Sequence, residues 1–378
     1  MTVQKAYYFR LYPNKAQQVL LAKTFGCVRV VWNRYVATFN SYDKDTNPKP
    51  DYQTSTQIRN EFDWMQEVSA AALQQKAMDF KEYQNQRFDK KRKKQLGFPK
   101  FKSKNDRQSF RLPNQKFYIR GNRIQLEKIG KVKIVLDRQI PPDVKYVNVT
   151  VSKSKSGQYF ASVLVEEVIQ PKPKADKTVG IDVGLNSFLV DSEKRDVANP
   201  RYFRKNQAKL AHLQRLQSRK RGSKKGETKS RRWLKLQGRI NRLHRKIANQ
   251  RAWFLHDVSS KLVNNYDVIY SETLNVAGML RNHCLAKSIA DASWSTLFKY
   301  IDYKCRWYGK HYHQIGTFKP STKTCSQCGE VNKTITLKDR VFVCPACGLS
   351  IDRDFNAAIN IKAFGVEDAI RTQSDAHE

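Results

Sequence analysis

Apolar and polar positions divide this chain into segments of two periods. Residues 3–11 read as a strand; Pro13 and Asn14 then supply a stop and a helix cap, and residues 15–39 repeat their apolar positions at helical spacing. A second helical pattern covers roughly residues 67–94, ending where Gly97 and Pro99 break it. From residue 117 to 168 the pattern shortens to strands at 131–136, 147–152 and 159–168, the last two joined by KSKSGQ. Strands on both sides of the helices predict one N-terminal β domain, a small barrel or sheet with a helical insertion, over residues 1–169.

The segment QPKPKADK, rich in Pro and Lys, marks a linker at 170–177. Beyond it VGIDVGLNSFLV predicts an apolar strand pair opening an α/β domain over 178–366. Within that domain Leu210, Leu213 and Leu216, then Leu236, Ile240, Leu243 and Ile247, keep a helical apolar stripe broken by KRGSKKGET, which predicts a helical hairpin over 204–264. The stretch after residue 366 is polar and is expected to be a flexible tail. The fold class is therefore multidomain α+β.

Charge changes the picture. Lys and Arg total 71 against 34 acids, a net charge of +37 over 378 residues, far beyond what solubility requires. No long apolar run exists and the opening lacks the apolar stretch of a signal peptide, so a cytoplasmic protein is expected, whose polyanionic partner is nucleic acid rather than a membrane surface. The charge concentrates in two places. Residues 204–251 hold 18 Lys or Arg and one acid, Glu227. Solvated helix faces normally mix signs, so Lys220, Arg221, Lys224, Lys225, Arg231 and Arg232 are candidate nucleic-acid contacts. In LGFPKFKSKNDRQSF, Lys100, Lys102 and Lys104 interleave with Phe98, Phe101 and Phe110, a pattern able to neutralise phosphates while stacking on bases, or equally a solvated loop whose aromatics pack inward. Tyr52, Thr54 and Gln57, on a polar stretch between the early helices, could read target bases, but a plain surface loop is the favoured reading.

The strongest local signal is Cys325-Ser-Gln-Cys328 and Cys344-Pro-Ala-Cys347, each pair followed by glycine. Two intervening residues let both thiolates face one ion, the glycine completes the tight turn, and four thiolates make a closed tetrahedral zinc site with no position for a reacting water. A structural zinc ribbon is expected over 320–349. Cys27, Cys284 and Cys305 stand alone and read as small buried hydrophobes.

Three acids sit in dissimilar settings: Asp182 in VGIDVG, Glu272 after DVIYS, and Asp354 near the start of DRDFNAAINI, a helix start. Burying a carboxylate is costly unless it is paired or binds metal. Carboxylates from adjacent strand ends and a nearby helix can hold two Mg2+ or Mn2+ ions about 4 Å apart for phosphodiester hydrolysis, the logic of an RNase H-like centre. Asp352 is the second choice for the third ligand.

GIDVG, SETLNV and DRDFNAAINI, in that order with CxxC…CxxC between the last two, resemble the RuvC-type domain of TnpB proteins, which are related to type V CRISPR effectors; LYPNKAQQ…VWNRYV and GFPKFKSK resemble that family's N-terminal half. The resemblance implies an RNase H-like (RuvC-type) nuclease domain with an inserted zinc ribbon, and catalytic, Mg2+-binding roles for Asp182, Glu272 and Asp354. It also implies a transposon-encoded, RNA-guided DNA endonuclease in a prokaryote. Its N-terminal domain would recognise guide and target, its partners would be a transposon-derived guide RNA and double-stranded DNA, and its expected state is a monomer. Guided systems leave sequence reading to base pairing, which suits a strongly basic chain. A guided repressor that does not cut, or a transposase, are the alternatives.

Overall fold

A computed structural model describes residues 1–41, 50–89, 92, 95–224, 226–336 and 338–374. The chain forms two compact units, Thr2–Val168 and Ile169–Glu378, the latter with Met1.

In the first unit β1 (Thr2–Tyr12) is followed by α1 (Lys15–Asn40), α2 (Ser55–Asn60) and α3 (Ala70–Phe88), then by β2 (Gln108–Pro113), β3 (Phe117–Arg120), β4 (Arg123–Leu126), β5 (Gly130–Val135), β6 (Lys145–Lys153) and β7 (Tyr159–Val168). Asn14 and Gln17 form a reciprocal capping box that starts α1. The described strands make one antiparallel sheet in the order β2-β6-β7-β1-β5-β4-β3. Its two edges, β2 and β3, are consecutive in the chain, separated only by Asn114–Lys116. A flat sheet of this order would hold them about 29 Å apart, whereas the connection spans at most about 14 Å. The sheet must therefore curl toward a barrel. α1 and α3 close it, with Phe25, Val28, Val31, Leu73 and Phe80 buried with the inner face of the sheet.

Several local readings change. α3 begins at Ala70 because the Ser69 hydroxyl caps it, with Asp63–Glu67 forming a separate 3-10 turn; the end of the expected pattern, residues 90, 91, 93 and 94, lies outside the described residues. Thr54 and Gln57 are no plain loop but the capping box of α2, and Tyr52 packs edge-on against Tyr35. β3 and β4 are four residues each, too short for alternation to reveal.

The second unit holds β8 (Thr178–Asp182), β9 (Ser187–Asp191), β10 (Asp196–Ala198), α4 (Tyr202–Ser218), α5 (Arg231–Asn265), β11 (Val268–Glu272), α6 (Val276–Met279), α7 (Ala286–Ala292), α8 (Trp294–Tyr308), β12 (His311–Ile315), β13 (Val341–Val343), β14 (Ser350–Asp352) and α9 (Arg353–Ser374). The main sheet runs β10-β9-β8-β11-β12, antiparallel on the β10-β9-β8 side and parallel from β8 through β11 to β12. Val179, Ile181 and Ile269 face α5 and α8, sharing a core with Leu255, Val263, Leu297 and Ile301. Gly180 and Tyr270, paired in register, face α9 instead.

That second face is unusually close. A Cβ on Gly180 would lie 2.2 Å from the Ala358 carbonyl oxygen and 2.5 Å from the Lys362 nitrogen, and one on Gly365 would lie 2.1 Å from the Tyr270 ring. α9 rests on the sheet because both positions lack side chains.

Residues 170–177 do not behave as a free linker. The Asp267 carboxylate accepts from the Ala175 and Asp176 N–H groups, Lys310 donates to it and to the Pro173 carbonyl, and the Lys172 N–H reaches the Tyr308 carbonyl. Nor is the chain after residue 366 a loose tail, since the helix continues to Ser374 with Asp368 paired to Lys319 at 3.1 Å; residues 375–378 lie outside the described residues. Cys27 and Cys305 are buried, their thiols pushed up to about 11 and about 12 by that burial, whereas Cys284 is exposed on a cavity of about 260 Å³. No described helix is long and apolar enough to cross a membrane.

Gly180→Ala should lower the unfolding temperature by roughly 3–10 °C, the cost of about 1–3 kcal/mol of overpacking. Gly238→Ala, in open space on α5, should raise it by about 2–4 °C through helix propensity. Calorimetry of both variants checks the pair; equal shifts would contradict the close seat of α9.

Candidate nuclease site and zinc ribbon

β8 and β11 pair in parallel with Ile181 opposite Ser271, so the next residues along, Asp182 and Glu272, end adjacent strands side by side. Neighbouring strands lie about 4.8 Å apart, and alternation turns both residues toward the face that carries Gly180 and Tyr270. α9 covers that face, and its first turn holds Asp354. Residues 90 and 82 positions apart in sequence are thus brought to one place.

The three carboxylates act on one another. Burial first, then the charges of Glu272 and Asp354, hold the Asp182 carboxyl well above the usual carboxylate range, against the Val183 N–H and the Arg353 guanidinium. Glu272 accepts a hydrogen bond from the Ser321 hydroxyl, and Asp354 is ion-paired with Arg353 at 3.0 Å, the two side chains 19% and 12% exposed. Only the four cysteines, among the described residues, place their ligand atoms all within 4.8 Å of one another, so the acids form a looser group. Asp352 points elsewhere: it is exposed, and its carboxylate caps α9 by accepting from the Phe355 N–H at 2.9 Å.

The cysteine cluster is built from two similar turns. Gly329 and Gly348 take φ of 80° and 73°, and their N–H groups reach back to the Cys325 and Cys344 carbonyls at 3.0 and 3.1 Å. Cys325 lies 3.6 Å from Cys347 and Cys328 lies 3.5 Å from Cys344, sulfur to sulfur. Disulfides are near 2.05 Å, whereas tetrahedral thiolates around zinc stand about 3.8 Å apart.

The cluster and the acid helix are joined by residues to which sequence spacing assigned no role. Asn356 and Asn360, one turn apart and buried on α9, bind the loop leading into the first turn: Asn356 donates to the Thr324 carbonyl and accepts from the Ser326 N–H, and Asn360 donates to the Ser321 and Thr324 carbonyls. Two asparagines four apart on an otherwise apolar helix face are the signal that could have found them.

The basic candidates divide. α4 and α5 pack through Leu210, Leu213, Ile240, Leu243 and Ile247, with Leu216 only half-buried, leaving Arg221, Lys224, Arg231 and Arg232 exposed and Lys220 partly so; Lys225 lies outside the described residues. Glu227 is taken up by the turn, accepting from the Gly222 N–H at 2.9 Å. In the first unit Phe98 and Phe101 are 69% and 57% exposed, so those two do not pack inward, while Phe110 is buried in β2. Their loop is pinned to α1, with Trp32 donating to the Lys100 carbonyl and Asn33 exchanging two bonds with the Lys102 backbone. Lys100 and Lys104 are exposed. Lys102 instead lies over the Trp32 ring at 3.6 Å, and burial, with Lys76 nearby, draws its amine down to about 8.

Residues 294–361 match a family model described as the Cas12f1-like TNB domain, residues 160–283 one described as a probable transposase, and residues 1–44 a helix-turn-helix domain, although there the described residues form a strand and a single helix. A Streptomyces pristinaespiralis protein, described as a candidate RNA-guided DNA endonuclease, is 34% identical over 99% of this chain and 94% of its own. Escherichia coli InsQ, described in the same terms, is 30% identical over 96% and 92%. A TnpB-like protein of Acanthamoeba polyphaga mimivirus is 29% identical over 53% of this chain and 40% of its own. Cas12f1, solved in complex with sgRNA and target DNA, shares the fold with a TM-score of 0.55 at 14% identity, covering 96% of this chain and 99% of that one. Similarity that spans nearly the whole of this chain and of its curated relatives means that the chain belongs to the TnpB family.

Proposed function

We propose that this protein is a transposon-encoded RNA-guided DNA endonuclease whose second unit is an RNase H-like, RuvC-type nuclease domain with an inserted zinc ribbon. The observation that carries the reading is the convergence of Asp182, Glu272 and Asp354 from two parallel strand ends and one helix start. The full-length similarity to proteins described as RNA-guided DNA endonucleases supports the guided mode, with a guide RNA and double-stranded DNA as partners.

The donor sets fit two kinds of ion. Three carboxylates suit Mg2+ or Mn2+, and four thiolates at 3.5–3.6 Å suit zinc. When bound at the acids, divalent ions supply an activated water and charge stabilisation at the leaving oxygen of a phosphodiester. Asp182, Glu272 and Asp354 would hold them; Ser321 fixes the orientation of Glu272 and Arg353 that of Asp354. The exposed bases Arg221, Lys224, Arg231 and Arg232, with Lys220, and in the first unit Lys100 and Lys104, neutralise phosphates. Retention of three mutually coupled acids favours cutting over a guided repressor.

Purified with its copurifying RNA, the protein should cut a matched DNA in Mg2+, and Asp182→Ala should abolish cutting by more than a hundredfold with binding nearly unchanged; an equal loss of binding, or joined rather than cut ends, would overturn the assignment. Replacing Lys220, Arg221 and Lys224 with Ala should flatten the dependence of log affinity on log salt by about one unit per lost phosphate contact, and an unchanged slope would return the hairpin to a merely solvated face. Cys344→Ser should release zinc and, because Asn356 and Asn360 grip the same loop, speed amide exchange in the first turns of α9; full protection there without zinc would refute the coupling.

A further inference from the structure

Between β12 and the zinc ribbon the chain makes a short loop, Gly316-Thr317-Phe318-Lys319-Pro320, whose phenylalanine is 97% exposed. No other large hydrophobic residue among those described comes near this value. A lone exposed hydrophobe on a flexible loop would need no explanation. This one stands on a braced loop. On one side the Thr273 hydroxyl donates to the Ile315 carbonyl at 2.8 Å, and Ile315 is paired in register with Glu272. On the other side the Ser321 hydroxyl donates to the Glu272 carboxylate while Asn360 holds the Ser321 carbonyl at 2.8 Å. Within the loop the Lys319 N–H closes a turn onto the Gly316 carbonyl, and the Lys319 ammonium is engaged by Glu367 and Asp368 and lies over the Phe364 ring. Both anchors are three residues from Phe318, so its Cα lies within about 10 Å of residues directly bonded to Glu272 and its neighbour.

Resting on the nuclease reading above, we infer that Phe318 is a stacking platform that grips one nucleobase of the single DNA strand led into the acid site. The occupant follows from the local chemistry. The lysine beside Phe318 is already paired with Glu367 and Asp368, so what the loop offers a polyanion is an uncharged aromatic face. Every base has a π-face that can meet it, which suits a guided enzyme that must take any sequence. A single stacked base adds an increment of binding that does not involve counterion release, and this separates Phe318 from the basic hairpin.

The test uses the full-length Asp182→Ala protein with an oligothymidine single strand, over a series of salt concentrations. Phe318→Ala should weaken binding by roughly tenfold at every salt concentration, leaving the salt slope unchanged, and Phe318→Trp should retain or improve affinity. Phe318→Leu, apolar but without a π-face, should behave as Phe318→Ala. Unfolding temperature and zinc content should be unaltered in all three, since the side chain packs against nothing. Wild-type affinity in Phe318→Leu would show an unspecific apolar contact and overturn the proposal, as would a changed salt slope or no change in Phe318→Ala. In the Asp182 background of the cleavage assay the nuclease reading fails if cutting persists, whereas Phe318→Leu with wild-type affinity sinks the stacking platform alone.

Discussion

The seat of α9 on the β8-β11 face is the contact on which the rest of the second unit depends. At Gly180 and Gly365 helix backbone and sheet meet with no room for a single carbon. A helix held one side chain further out would carry Asp354 away from Asp182 and Glu272, whose other acidic neighbour it is. The same helix carries Asn356 and Asn360, which bind the loop entering the first cysteine turn, and its far end fixes Lys319. Acid site and cysteine cluster therefore share one foundation. A thiolate cluster that cannot itself react still has a reason to stand there: a metal held by it would tie down the loop whose Ser321 hydroxyl donates to Glu272.

Charge is handled by separation. The chain carries +37, yet Asp182, Glu272 and Asp354 act on one another, with the Arg353 guanidinium paired to Asp354 opposing them. The basic excess is placed on the outer faces of α4 and α5, where five buried aliphatic residues and a hydrogen bond donated by the Gln217 amide to the Gln237 amide oxygen hold the two helices together. So small a core beneath so many like charges is poorly stabilised alone, because self-repulsion opposes the compact state. A polyanion that bound only the folded hairpin would add its binding free energy to folding.

Legibility followed period and spacing. α1 was readable because Asn14 and Gln17 write a capping box ahead of a long helical repeat, and β7 because its apolar, β-branched run is bounded by a glycine-containing turn. The cysteine turns were readable because two-residue spacing with a following glycine has few other uses, and Gly329 and Gly348 do take positive φ. β3 and β4 were not, since four residues cannot establish a period. The helix past residue 366 was hidden because its polar residues are held by Lys319, a partner nearly fifty residues away. Lys102 looked equivalent to Lys100 and Lys104 until Trp32 was placed beneath it, a tertiary fact absent from local composition. Asn356 and Asn360 stood in a recognisable motif, but only the fold says what they hold.

The run Asp352-Arg353-Asp354 shows how helix geometry divides labour among adjacent charges. Successive helical residues point about 100° apart, so three consecutive side chains cannot all face one site. Asp352 ends β14 and turns its carboxylate to the free Phe355 N–H, the role of a residue just before a helix. Arg353 lies across the Asp354 carboxylate, restraining it while leaving a guanidinium beside the acid group. Asp354, within the first turn, gains from the positive end of the helix dipole and is the acid coupled to Asp182. Exchanging the two aspartates' roles would require the helix to start two residues earlier, which would rotate the Ala357, Ala358 and Ile361 face off the sheet and lose the close seat at Gly180. On the proposed nuclease reading, packing thus favours Asp354 over Asp352.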